Sequence, residues 1–230
     1  MQLEKLTKPE TRRGYDDACG TAHALELIGE RWALLVLREL MLGPRRFSEL
    51  RADLPGISAN VLTQRLAELE QRGLVIRRRL PPPASVQVYE ATEWGLEAEP
   101  IVQALGRWAA RSPRHDPTLP LSAVSILLSF RTMLNEKKAR GMEAHLGFVF
   151  GHDQYVARLR KGRLKVVRAP AAACDVVFTA EPTALAAVVY GGAPLDLIGV
   201  EGDRDLARRF LALFSLPPKV GAVEAGRPLA

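Results

Sequence analysis

Apolar residues recur at helical spacing through Phe47, Leu50 and Leu54, stop at Pro55-Gly56, and resume as Leu62, Leu66 and Leu69. The first set predicts a short helix opened by Ser48, the second a longer helix capped by Ser58. Asn60, Thr63, Gln64 and Ala67 lie off the second leucine stripe and so stay clear of a core. A short helix, a glycine-bearing turn and a helix with an amide- and hydroxyl-rich outer face are the parts of a helix-turn-helix, whose second helix fits a DNA major groove. A plain pair of packed helices would show the same stripes, so the neighbouring segments decide.

Those segments read as a wing. Gly73 suits the position just past a helix end. Residues 74–80 (LVIRRRL) predict a strand, 81–85 (PPPAS) a loop and 86–91 (VQVYEA) a returning strand. Side chains alternate along a strand, so at least one of Arg77, Arg78 and Arg79 faces outward. Beside a recognition helix, an outward arginine suits phosphate or a minor groove.

Upstream, Ala22, Leu25 and Ile28 predict a helix within Cys19–Gly29, and Arg31–Leu42 a second one burying Trp32, Leu35, Val36 and Leu40. Gly43-Pro44 ends it, and Arg45-Arg46 would complete the wing sheet. Downstream, Thr92 is a candidate cap, Glu93, Glu97 and Glu99 suit the positive end of a helix dipole, and Pro100 predicts a kink or restart. Ile101, Leu105 and Trp108 then form a stripe with two uses open to it, dimerisation or packing on a second domain. Ser112–Pro120 (SPRHDPTLP) has linker composition.

Past the linker, Val124–Asn135 is too apolar for a surface helix. Residues 147–150, 155–159, 163–168 and 175–180 read as strands, with Lys161-Gly162 turning a hairpin. Helix 181–189, strand 197–202 and helix 205–214 follow. The fold class is α+β throughout. The chain divides into a winged-helix and dimerisation domain (1–114), a linker (115–122), a second α+β domain (123–221) and a tail (222–230).

A length of 230 residues suits two domains, and 47% hydrophobic content with 25% charge suits packed cores. The net charge of +6 and pI near 9.6 fit a polyanionic partner. Between Arg45 and Arg79, eight arginines stand against Glu49, Asp53, Glu68 and Glu70, yet from Pro117 onward basic residues also exceed acidic ones, fifteen to ten. Placement therefore carries more than total charge. The charged N-terminus is unlike a signal peptide, and no apolar run nears the roughly 18 residues of a membrane span, so a cytoplasmic location is expected. Cys19 and Cys174 form neither a disulfide framework nor a metal pair. His23, His115, His145 and His152 have no metal spacing, and no nucleophile elbow or phosphate loop occurs. The expectation is a non-enzyme without cofactor or metal.

Cys19, Leu27–Trp32 (LIGERW), Gly43–Leu50 (GPRRFSEL), Gly56–Ser58, Leu62-Thr63, Leu69-Glu70, Gly73–Val75, Tyr89–Thr92 and Trp108, in this order and spacing, resemble the HxlR-type winged-helix transcription regulators, relatives of the MarR type. The resemblance covers about Tyr15–Arg111. It departs at Gly20, where a proline often follows the cysteine, and at Glu30, where glycine is common. It implies a homodimer on double-stranded DNA, with the N-terminal helix and the helix after the wing building the interface. Candidate groove contacts are Ser58, Asn60, Thr63 and Gln64, since Asn and Gln pair bidentately with adenine. Arg65, at the stripe's edge, suits phosphate or an internal ion pair, and Arg45, Arg46, Arg78 and Arg79 suit backbone or minor groove. Some members of the family use a cysteine at the position of Cys19 as a redox sensor, while a small buried residue near a dimer interface is the simpler account of it.

The second domain resembles the sterol carrier protein-like fold, carried by its hairpin, by CDVVFTAEPTALAAVVYGG and by GVEGDRDLARRFLALF. That resemblance implies a mostly antiparallel sheet covered by helices, with a hydrophobic ligand between. Phe130, Met133, Phe148, Phe178, Leu185, Val189, Phe210 and Phe214 would line such a pocket or simply fill a core. The reading is a dimeric regulator modulated by a hydrophobic ligand. A lipid or acyl-chain carrier whose winged helix serves assembly, and a regulator with a ligand-free interaction module, stand beside it.

Overall fold

The computed structural model describes residues 14–221. Residues 1–13 and the tail 222–230 lie outside them. Helix α1 (Gly20–Ile28) leads into α2 (Ala33–Glu39). This second helix starts two residues later than Arg31 and stops short of Leu42. The left-handed backbone of Trp32 (φ 78°) breaks the chain before it. Val36, Leu37 and Leu40 are buried and Trp32 is partly so, but Leu35, expected inside, is 39% exposed. Next come α3 (Phe47–Asp53) and α4 (Ala59–Gln71). The expected Ser48 cap is corrected: Arg46 stands at the cap position, where its backbone N–H donates to Glu49 Oε2 at 2.8 Å, and Ser48 sits exposed within the first turn. Ser58 caps α4, accepting from Val61 N at 3.3 Å, and Leu62, Leu66 and Leu69 are buried as their spacing requires.

Strands β1 (Val75–Arg79) and β2 (Gln87–Ala91) pair antiparallel as the wing, and Arg45 adds a bridge to Tyr89 in place of a strand. The proline restart occurs as expected, between α5 (Glu93–Leu96) and α6 (Glu99–Ala109). Thr92 caps α5 through Gly95 N at 3.0 Å.

Helix α7 (Ala123–Met133) opens the second part, followed by the unforeseen single turn α8 (Glu136–Ala139), then β3 (Ala144–Phe150), β4 (Asp153–Arg160), β5 (Arg163–Arg168) and β6 (Val176–Thr179). Helix α9 (Pro182–Gly191), a 3-10 turn, β7 (Gly199–Gly202) and α10 (Arg204–Leu211) complete it. The sheet order is β5-β4-β3-β6-β7, antiparallel except for the β3–β6 pair. Lys161 (φ 53°) and Gly162 (φ 74°) both take positive φ, the two-residue turn that matches strand twist.

Phe148 and Phe178 on adjacent strands share the face that meets Phe130 of α7 and Phe210 of α10. Of the two uses left open for the eight candidate pocket residues, filling a core describes most of them. Phe130, Phe148, Phe178, Leu185 and Phe210 are fully buried, Phe214 stacks on Phe130 at 4.5 Å and Phe148 on Phe178 at 5.3 Å. These rings fill the space between helices and sheet with one another. Val189 packs partly buried against this core, and Met133, of the eight, reaches a cavity wall.

The two parts share one continuous core through α7, which packs on both α2 and α6. Helix α6 thus serves one of its two expected uses: Glu99 Oε2 meets Arg131 Nη1 of α7 at 2.8 Å and Arg107 reaches the Thr132 carbonyl. Its other face leaves Ile101, Leu105 and Trp108 exposed, Trp108 by 73%.

Candidate nucleic-acid interface

Helix α4 buries its leucines and turns Asn60, Thr63, Gln64, Ala67 and Gln71 to solvent. Asn60, Thr63 and Gln64 fall at i, i+3 and i+4, so they share one face at the N-terminal end of the helix. Thr63 Oγ1 donates to the Ala59 carbonyl at 2.9 Å, leaving its lone pairs and methyl outward. Gln64 Nε2 donates to Glu68 Oε1 at 3.0 Å, a surface bond that water or a base edge can replace.

Strand β1 buries only Val75, at its base, so Arg77, Arg78 and Arg79 are all exposed. Arg78 pairs with Glu90 across the ribbon, Arg79 Nε donates to the Ser85 carbonyl at 3.1 Å, and Arg77 stands 3.9 Å from Glu70. Arg46, half-exposed, lies 3.9 Å from Glu49.

Two arginines expected at DNA are spent inside the protein. Arg45 is 2% exposed: Nη1 donates to Asp153 Oδ2 at 2.6 Å, and Nη2 holds Asp53. Arg65 is 7% exposed, with Nη1 2.8 Å from Glu68 Oε2, off the hydrogen-bond axis, and 3.3 Å from Glu30 Oε2. A buried guanidinium already facing carboxylates is not free for phosphate. Arg65 therefore follows the ion-pair alternative that its place at the stripe's edge allowed. Arg51, overlooked in the sequence, is exposed on α3 and makes no hydrogen bond or ion pair among the described residues. Its place on the outer side of α3, off the Phe47-Leu50-Leu54 stripe, was the available signal.

Cys19 is exposed and stands at the N-cap of α1. Backbone N–H groups of Thr21 and Ala22 point at the sulfur and hold its pKa below the ordinary thiol value. Cys174 is half-buried, and burial pushes its thiol the other way.

The chain matches the HxlR-like helix-turn-helix family over residues 27–116. It is 43% identical over 94 residues to the HTH-type transcriptional regulator YkvN of Bacillus subtilis (strain 168), covering 40% of this chain and 77% of that one. It is 40% identical over 86 residues to the HTH-type transcriptional regulator YodB of the same organism, covering 37% of this chain and 77% of YodB. This chain belongs to the HxlR-like helix-turn-helix family. Among solved structures, the reduced form of YodB from B. subtilis aligns with 44% of this chain and 100% of its own at 35% identity and a TM-score of 0.39. The oxidized form of the redox regulator HypR aligns with 40% of this chain and 94% of its own at 33% identity and a TM-score of 0.37. The HxlR-like match ends before α7, and the five-stranded sheet lies wholly beyond it.

Proposed function

We propose that this protein is a sequence-specific, DNA-binding transcription regulator that acts as a homodimer. The observation that carries the reading is the α4 surface: every leucine of the helix is inside, and Asn60, Thr63 and Gln64 stand together on the exposed face next to a wing bearing Arg78 and Arg79. Ser58, Asn60, Thr63 and Gln64 would read or border the major groove, while Arg46, Arg51, Arg78 and Arg79 would hold phosphates or enter the minor groove. Dimerisation is supported by the unpartnered apolar face of α6, joined by exposed Leu25 of α1 and by Trp94 and Leu96 of α5. A two-fold dimer would set its recognition helices about one DNA turn (~34 Å) apart on a near-palindromic site.

The part beyond α6 is read as a sterol carrier protein-like domain, on the strength of the sheet order with its single parallel pair and helices packed over one face. Its aromatic interior is filled, which favours an interaction-module role for that domain over carriage of a lipid within that interior. Cys19 is read as a thiol sensor, given its exposure and the N–H groups that favour its thiolate.

The test is in vitro selection of binding sites from random duplexes, followed by anisotropy titration. Asn60→Ala should cost about 1–3 kcal/mol on the selected site and relax preference at one base position, whereas Arg79→Ala should weaken all duplexes alike and lower the salt slope by about one. Binding that is weak, unselective and equal in both variants would refute the reading and favour assembly.

A further inference from the structure

A cavity of 420 Å³ lies at the seam between the two parts, walled by α2, α6, α7, α9 and the crossing chain around 115–121. Sites for small organic molecules span roughly 300–1,000 Å³. It is separate from the filled aromatic core, and most of its wall is apolar, with Leu34, Val102, Leu121 and Leu128 among the lining residues.

Three features distinguish this space from imperfect packing. The first is a line of hydroxyls: Ser125, Ser129 and Thr132 fall at i, i+4 and i+7 on α7 and all line the cavity, although apart from Arg131 the rest of that helix is apolar. Ser129 Oγ donates to the Ile126 carbonyl at 2.8 Å and Thr132 Oγ1 to the Leu128 carbonyl at 2.7 Å. The Ser129 proton being engaged, Tyr190 OH is the donor in their 2.9 Å contact. The second is a cation at one end. Arg38 gives Nε and Nη2 to Glu39 Oε1, at 2.8 and 2.6 Å, leaving Nη1 without a partner among the described residues. The third is Gly106, a glycine in the middle of α6 where it lines the cavity; a Cβ there would meet nothing within 4 Å. Mid-helix glycine costs about 1 kcal/mol relative to alanine.

We propose that this seam cavity binds a small amphiphile, with an apolar body against Leu34, Val102 and Leu128 and a single oxygen-bearing head, carboxylate or hydroxyl, at Arg38. A site walled by α2 and α6 on one side and α7 and α9 on the other changes shape whenever the two parts shift. A ligand there has different affinity for different arrangements and biases them. This last step rests on the regulator reading; the binding site itself does not.

The experiment is calorimetric titration of the full chain with octanoate, 1-octanol and octylammonium, which differ only in the head. Octanoate and 1-octanol should bind once per chain, and octylammonium at least tenfold more weakly. Gly106→Leu, placed in open space, should weaken octanoate and 1-octanol at least tenfold while keeping or raising the melting temperature. Arg38→Gln should weaken octanoate more than 1-octanol. Absence of binding, or equal binding by Gly106→Leu and wild type, would overturn the proposal. So would Gly106→Leu dissociating the dimer without any octanoate binding, since the groove would then seat a second copy. DNA affinity, measured separately with and without octanoate, distinguishes the two failures. Octanoate binding without selective DNA binding would refute the regulator reading and leave the site standing.

Discussion

Arg45 Nη1 meets Asp153 Oδ2 at 2.6 Å, joining residues 108 positions apart. The backbone of Arg45 is held to the wing, its N–H donating to the Tyr89 carbonyl at 2.9 Å and its carbonyl accepting from Tyr89 N at 2.8 Å. The same side chain also holds Asp53 of α3, and Asp153 lies 3.4 Å from Arg168 Nη1, whose Nη2 donates to Tyr155 OH at 2.9 Å. One buried guanidinium thus ties the base of the wing to the start of β4, and movement of the sheet relative to the helices must break or drag this contact.

Asp153→Ala should therefore destabilise the whole chain. It leaves a buried cation with one close carboxylate fewer, and removing one partner of a buried pair costs about 3–5 kcal/mol. Asp153 is partly exposed, so a loss of about 2 kcal/mol is expected, read as a lower melting temperature. Arg45→Met, which removes the charge itself, should cost less than the alanine change at Asp153. The reverse order would mean the contact is peripheral.

Trp108 is 73% exposed on the α6 stripe beside Ile101 and Leu105. Trp108→Glu should leave the fold intact, since it removes no buried contact, and shift a dimer to monomer in light scattering. Operator affinity should fall with it, because two half-sites are then bound independently. An unchanged dimer would place the interface elsewhere.

The thiol of Cys19 is lowered by the α1 N–H groups and that of Cys174 raised by burial. At pH 7 Cys19 therefore holds more thiolate, and iodoacetamide should label it first, its rate rising at lower pH than that of Cys174 or of the unfolded chain. Equal rates, followed by mass spectrometry of peptides, would exclude activation by the helix end.

Burial pushes the Tyr190 phenol up to about 12. A raised folded value means the native state keeps its proton longer than the unfolded chain, whose phenol titrates near 10. The stabilisation is complete below pH 10 and is lost as pH rises from about 10 to about 12. Tyr190→Phe should flatten that limb of a melting-temperature profile, and an unchanged limb would assign it to other tyrosines.

Local rules carried much of this protein. The leucine stripes of α4, the Ser58 cap, the Lys161-Gly162 turn and the Pro100 restart each depend on residues within one or two turns of each other, and those forces are present in the sequence itself. The strand pattern likewise announced the α+β architecture of the second half. What the sequence could not decide depends on partners far along the chain. Arg45 and Arg46 are neighbours of one type, yet Asp153 and Asp53 bury the first and solvent keeps the second. Phe130, Phe148, Phe178 and Phe210 have the same spacing whether they line a pocket or fill it; only their ring contacts, between four different elements, show that they fill it. The seam cavity is tertiary in the same sense. Leu34, Val102, Ser129 and Tyr190 come together only because α7 packs against both α2 and α6, and burial is a property of that arrangement rather than of any residue's type.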